Sequence, residues 1–439
     1  MKKLSQVDPE IAKLIKEEEK RQKDVLEMIP SENYASSAVR EAVGSVLMNK
    51  YSEGYAGARY YQGNIVADQV ERLAIERAKK LFGVPFVNVQ AYSGSPANSV
   101  IYMATLTPGD TIMGLALSYG GHLTHGFPGT FSGTIFKGVQ YQFGKKNIID
   151  FDDLEKLAIE HKPKMIIAST TAYPRALDFE KFAKVADKVG AYLMADISHI
   201  AGLVLAGEHP NPVPYAHIIM ATTHKTLRGP RGALIMVTNK GLKKDPDLGK
   251  KIDRWIIPGM QGGPHDNTTA AIAVALKEAE KASFKKYQQQ IVKNARALAE
   301  ELLQRGFDLV TGGTDNHILL IDLRNKKIAG NLAALALEAA GIVGNKNTVP
   351  NDPFPPMITS GLRLGTPAIT TRGMKEKDMK KIAAWIERAI KEVRGFTLPS
   401  DKEERKAVLK KFREVIGNNK NLKQIAKEIK SFCAKYPVP

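Results

Sequence analysis

A chain of 439 residues, 43% of them hydrophobic, exceeds what one core usually holds, so a large domain and a smaller one are expected. Its single cysteine, Cys433, excludes a disulfide framework and a thiolate-rich zinc site, and no metal site is expected. The net charge of +18 suits an anionic ligand, but the lysines of 401–432 are mixed with Glu and lack aromatic interleaving, which argues against a nucleic-acid partner.

The N-terminus lacks an apolar signal core, and no run approaches the roughly 18–20 apolar residues that cross a bilayer, so a cytoplasmic protein without a membrane partner is expected. Asp8-Pro9-Glu10 reads as an N-cap, a first-turn proline and a first-turn acid, and the helix they open is expected to run to about Met28. Next comes KYSEGYAGARYYQGN (50–64), a Gly-rich loop dense in aromatics, with Glu53 among Tyr51, Tyr55, Tyr60 and Tyr61. Such density points to packing at an interface or around a ligand.

From about residue 65 to 250, short apolar runs (DTIMGLAL, KMIIAST, AYLMADIS, HIIMATT, GALIMVT) alternate with helical stretches such as FEKFAKVADKVG. That rhythm predicts an α/β fold: a mostly parallel sheet sandwiched by helices, with ligands beyond the C-terminal strand ends. A long helical pattern follows from about 268, and 306–395 mixes strands with helices as a smaller α+β domain. The expected division is an N-terminal arm and interface segment at 1–64, a large domain at 65–267, a connecting helix at 268–305 and a C-terminal domain at 306–439.

Polar clusters follow the apolar runs. YSGSPAN (92–98) places Ser93, Gly94 and Ser95 where a helix begins, a setting that suits a phosphate and is equally common in plain turns. In LSYGGHLTHG, Gly120 and Gly121 allow a sharp bend before His122, which either covers an aromatic ligand or bonds a carbonyl. The strand AYLMADISHIAG ends in Asp196, Ser198 and His199, and ATTHKTLRGPRGA carries His224 and Lys225. A buried carboxylate needs a positive partner; the pyridine nitrogen of pyridoxal 5'-phosphate is one, a structural Arg another. Lys225 is either a solvated lysine or the amine that attaches the aldehyde. Arg363, in the apolar strand TSGLRLG, calls for an anion such as an α-carboxylate, whereas Arg372 is expected on the surface.

Together these segments resemble serine hydroxymethyltransferase, of the aspartate-aminotransferase-like pyridoxal phosphate enzymes (fold type I). SENYASSAVREAVGSVLMNKYSEGY, ARYYQGN, YSGSPAN, GGHLTHG, AYPRALDF, GAYLMADISHIAGL, ATTHKTLRGPRGA, IPGMQGGP, GGTDNH, GNKNTVP and TSGLRLGTPAITTRG all match, in the family's order. The resemblance implies interconversion of serine and glycine through an external aldimine, with the one-carbon unit passing to tetrahydrofolate to give 5,10-methylenetetrahydrofolate. Pyridoxal 5'-phosphate would be covalently held on Lys225. Asp196 would hold the pyridine nitrogen, and His199 would lie near the phenolic oxygen. Ser93, Gly94, Ser95 and His224 would serve the phosphate, and His122 would stack on the ring. Tyr51, Glu53, Gly262 and Gly263 would reach the site from the neighbouring subunit, implying a homodimer as the smallest active unit and leaving a tetramer open. Arg363, with Tyr51, Glu53 and Tyr61, would bind the amino acid; Glu53, His122 and Thr171 would join Lys225, Asp196 and His199 in catalysis. Leu117, Tyr60, Gly121, His122, Leu123 and Asn347 would meet the folate.

The chain departs from the family pattern in places. Tyr92 and Pro96 stand where His and Gln are usual, Ser118-Tyr119 where Asp-His is common, and Thr171 where Ser is usual. His265, Asp266 and Asn267 replace a more apolar stretch, and Pro355, Pro356 and Met357 alter the folate-side segment. That last change raises a folate-independent aldolase as a competing expectation, and the basic surface raises an RNA-binding one.

Overall fold

The computed structural model describes residues 2–355, 357–399 and 401–439, and they divide into two compact units. One comprises Ala35–Val292 with Thr314–Asn316; the other gathers the residues up to Tyr34, Lys293–Gly313 and the chain from His317. Pro356 lies outside the described residues.

Among the described residues, the larger unit holds a seven-stranded sheet. Its spatial order is Phe86–Asn88, Ala233–Val237, Ile218–Thr222, Tyr192–Asp196, Met165–Ser169, Thr111–Leu115, Lys137–Tyr141. The last five run parallel, while Ala233–Val237 is antiparallel to both of its neighbours. The apolar runs have no polar alternation because both sheet faces are covered. Ile166, Leu193, Ala195, Ile219 and Leu234 enter one core, and Met165, Ile167, Met194, Ile218 and Ile235 enter another. Helix Phe179–Lys188 shows how the covering forms: Asp178 caps it by accepting from the Lys181 N–H, and Phe179, Phe182 and Val185 are buried. The edge strand Lys137–Tyr141 escapes the sequence pattern. It carries no apolar run and is held by pairing with Thr111–Leu115.

The other unit has a four-stranded antiparallel sheet ordered Asp308–Leu309, Ile318–Asp322, Gly361–Gly365, Asn345–Asn347. Helices Gly330–Ala339, Glu376–Lys391, Lys402–Asn418 and Lys420–Cys433 pack a core with it. The N-terminal helix ends at Asp24, short of Met28, because Leu26–Glu27 extends to pair in parallel with Ile342–Val343. The 268–305 pattern is likewise two helices, Asp266–Ala279 and Ala282–Gln304.

Arg372 corrects a surface expectation: it is buried, 5% exposed. Its guanidinium donates to the carbonyls of Gln22, Lys23, Val25, Cys433 and Tyr436, tying the end of the N-terminal helix to the C-terminal one. The exposed-Arg expectation failed because these acceptors come from segments some 60 and 350 residues away, invisible to a local pattern. Arg372→Ala should destabilise the protein by about 2–4 kcal/mol, the cost of leaving several buried carbonyls without donors. A denaturant titration of the full chain measures this.

Candidate active site

In the larger unit, the parallel strands end together and their C-terminal turns bring separate segments into one place. Strand Tyr192–Asp196 delivers Asp196 buried at its last position. Asp196 Oδ1 accepts from the Ser198 N–H at 3.0 Å, and Oδ2 lies 3.2 Å from both Asn98 Nδ2 and His125 Nε2. Burial opposes its charge, yet bonding and charge from His125, followed by the Lys225 charge, hold the carboxyl well below the usual range. An ionised carboxylate in this position is ready for a positive partner. His199 is buried in the turn that follows.

Lys225 follows strand Ile218–Thr222 and is itself largely buried. The chain turns tightly behind it: Arg228 N–H bonds the Lys225 carbonyl at 3.0 Å, and Gly229 N–H bonds that of Thr223 at 2.7 Å. A Cβ on Gly229 would lie 2.9 Å from the Thr223 oxygen, so the turn excludes a side chain there. Thr226 braces the turn from below, donating to the His199 carbonyl at 2.9 Å while its own carbonyl accepts from Gln288 Nε2 at 2.7 Å.

Beside it, helix Gly94–Thr105 starts with Ser93 at its N-cap, and Ser93 makes no capping bond. A Cβ on Gly94 would fall 2.7 Å from Thr222 Cγ2, so only glycine lets this helix start lie against the Lys225 strand. Burial, with Lys225 and Arg231 nearby, pushes His224 down to about 3, and its Nδ1 is buried without a partner. An uncapped helix N-terminus, a lysine, an arginine and an orphaned histidine nitrogen together fit a phosphate dianion. With the ionised Asp196 and the Lys225 amine, they fit an aldehyde cofactor carrying that phosphate.

The His122 loop is joined to this group by a hydrogen-bonded chain that the sequence reading missed. His122 Nδ1 lies 2.8 Å from Thr124 Oγ1, Asn98 Nδ2 donates to that oxygen at 2.8 Å, and Asn98 reaches Asp196. Thr171 anchors the same loop, its N–H on the Gly120 carbonyl at 2.7 Å and its hydroxyl on that of Gly121 at 3.1 Å. A Cβ on Gly121 would collide with the Leu115 carbonyl, which explains the glycine. His125 and Asn98 were legible only as a second histidine in GGHLTHG and a polar residue in YSGSPAN. Leu123 is exposed and Leu117 half-buried on this loop.

Tyr51, Glu53, Gly262 and Gly263 form a second cluster. The Tyr51 hydroxyl donates to Glu53 Oε1 at 3.4 Å, and Cβ atoms built on Gly262 and Gly263 would meet Glu53 Oε1 at 2.9 Å and the Tyr51 ring at 3.2 Å. Arg59 fixes the backbone around Glu53, donating to the Ser52 and Gly54 carbonyls at 2.8 and 2.9 Å while paired with Asp68 and Glu71. Tyr61 packs edge-on against Tyr51, and Tyr60 is exposed.

Arg363 and Asn347 belong to the other unit, on the neighbouring strands Gly361–Gly365 and Asn345–Asn347. Arg363 Nε donates to Asn345 Oδ1 at 3.0 Å, and burial pushes its guanidinium down to about 10, a shift that a bound carboxylate would reverse.

Comparison with known proteins points to one family. The family model for serine hydroxymethyltransferase matches residues 4–386. The chain is 52% identical over 436 residues to a serine hydroxymethyltransferase of Desulfotalea psychrophila, covering 99% of this chain and 96% of that one. It is 56% identical over 385 residues to one of Acidothermus cellulolyticus, covering 88% of each. It is also 56% identical over 377 residues to a probable serine hydroxymethyltransferase of Rickettsia bellii, covering 86% and 88%.

Proposed function

We infer the division of labour in the site from one premise: this chain belongs to the serine hydroxymethyltransferase family. It is a pyridoxal phosphate enzyme of α/β fold that interconverts serine and glycine, with tetrahydrofolate as the one-carbon carrier. When bound, pyridoxal phosphate supplies an electron sink for the pair released as the serine Cα–Cβ bond breaks.

The chain's own residues then take the following parts. Lys225 would hold the cofactor covalently, its amine exchangeable with that of the amino acid. Asp196, kept ionised by His125 and Lys225, would hold a proton on the ring nitrogen, and His199 would lie near the phenolic oxygen. Ser93, Gly94, Ser95, His224 and the Gly262–Gly263 peptides hold the phosphate. His122 covers the ring, its loop anchored by Thr171. Arg363 binds the substrate carboxylate and, with Tyr51 and Tyr61, sets which bond at Cα is aligned for cleavage. Glu53 moves a proton at the serine hydroxyl or the folate-bound carbon. Leu117, Tyr60, Gly121, Leu123 and Asn347 face the folate. The observation that carries this reading is the convergence of an ionised Asp196, Lys225 and an uncapped phosphate-type helix start at the ends of parallel strands.

The active unit proposed is a homodimer in which Tyr51, Glu53, Gly262 and Gly263 serve the partner's site. Supporting it, the flanking segments expose Val46, Met48, Ile65 and Val66, each more than half accessible, an apolar patch of the kind that subunit contacts cover. No helix among the described residues is long and apolar enough to cross a membrane. With one buried cysteine, this favours a cytoplasmic enzyme.

Subunit mixing tests both the roles and the sharing. Lys225→Ala and Glu53→Gln variants should each be nearly inactive in tetrahydrofolate-dependent serine cleavage. Unfolded and refolded together, they should regain about a quarter of wild-type activity, since half the dimers then carry one intact site. No recovery would place Glu53 in its own chain's site.

A further inference from the structure

Two departures from the family pattern, distant in sequence, meet in the structure. The rings of Tyr92 and His265 stack with centroids 4.1 Å apart and planes within 6°. The Tyr92 hydroxyl donates to the Gly263 carbonyl at 2.8 Å, and its N–H donates to Gln261 Oε1 at 3.1 Å. Gln261 Nε2 donates back to the Gln90 carbonyl at 2.8 Å. Residues 90–92 and 261–265 are thus bound at four points.

The residues after His265 extend the same clasp. Asp266 accepts from the Ser52 hydroxyl at 2.7 Å, next to Glu53, and Asn267 donates to the Val43 carbonyl at 2.7 Å. Apolar side chains supply none of these bonds. Each of the three polar residues at 265–267 therefore engages a different segment of the chain.

We infer that Tyr92 and His265 are a positioning pair for cofactor phosphate binding. Tyr92 leads directly into the uncapped Ser93, its hydroxyl holds the carbonyl of Gly263 and its ring holds His265. The stack therefore locks Ser93–Ser95, which serve the chain's own phosphate, and Gly262–Gly263, which serve that of the partner's site, into one register. A flat ring on each side resists sliding, while the hydroxyl bond stops rotation about the stack. Neither residue touches the reacting atoms; they act through the peptides that hold the phosphate. The inference rests on the assignment of those two segments to the phosphate.

The test compares binding of pyridoxal phosphate with that of pyridoxal, which lacks the phosphate, to the full chain stripped of cofactor. His265→Ala should weaken pyridoxal phosphate about fivefold to tenfold and pyridoxal by less than about twofold. His265→Phe, which keeps a ring for the stack, should restore most of that loss, and Tyr92→Phe should show an intermediate one. Equal weakening of both ligands by His265→Ala, or no rescue by His265→Phe, would overturn the pair. Ser93→Ala separates the two levels: if it leaves the ratio of the two affinities unchanged, the phosphate assignment itself is wrong.

Discussion

Replacing Lys225 with alanine is expected to remove the visible absorption band of the covalently held cofactor and to lower serine turnover by at least about 10²–10⁴-fold. The size follows from where the amine sits. It is buried at the end of a parallel strand, beside an ionised Asp196 and the start of a phosphate-type helix. Alanine removes the nucleophile and leaves the turn intact, because the bonds of Arg228, Gly229 and Thr226 are made by backbone and by other side chains. The backbone of the turn should therefore keep its course. A variant that kept the band would show that another amine attaches the cofactor.

Arg363→Ala is expected to lower kcat/KM for serine by roughly 30-fold to several thousand-fold, the equivalent of about 2–5 kcal/mol for a buried charge-assisted contact. The guanidinium is almost wholly buried on a strand whose neighbours are Leu320 and Asn345, a setting that strips water from any carboxylate it binds. Pyridoxal phosphate binding should be unchanged, which separates loss of the substrate anchor from general damage. Arg363→Lys should recover little, since an ammonium has no planar fork for bidentate pairing. Steady-state kinetics on serine, with cofactor affinity measured in parallel, reads out both. If the variant bound serine normally, the carboxylate would have to be held elsewhere.

Much of the fold was legible because it rests on local repetition. The fully apolar runs from DTIMGLAL to GALIMVT announce strands buried on both faces, and they are so buried that alternate residues feed two separate cores. Lys137–Tyr141 was illegible for the opposite reason: an edge strand needs only a partner's hydrogen bonds, and KGVQY shows no hydrophobic period. Helix ends were misjudged where a distant strand competed for the backbone, as Ile342–Val343 does for Leu26–Glu27.

By itself, then, the sequence determined the α/β layering, the points where strands give way to polar turns, and the family, since those depend on residue type and short-range spacing. Only the tertiary structure decided what each polar group bonds. It set the chain from His122 through Thr124 and Asn98 to Asp196, the burial of Arg372 among five carbonyls, and the stacking of Tyr92 on His265. A hydrogen bond or ring stack depends on distances of a few ångströms and on angle, and its partners come from segments that approach only when the cores close.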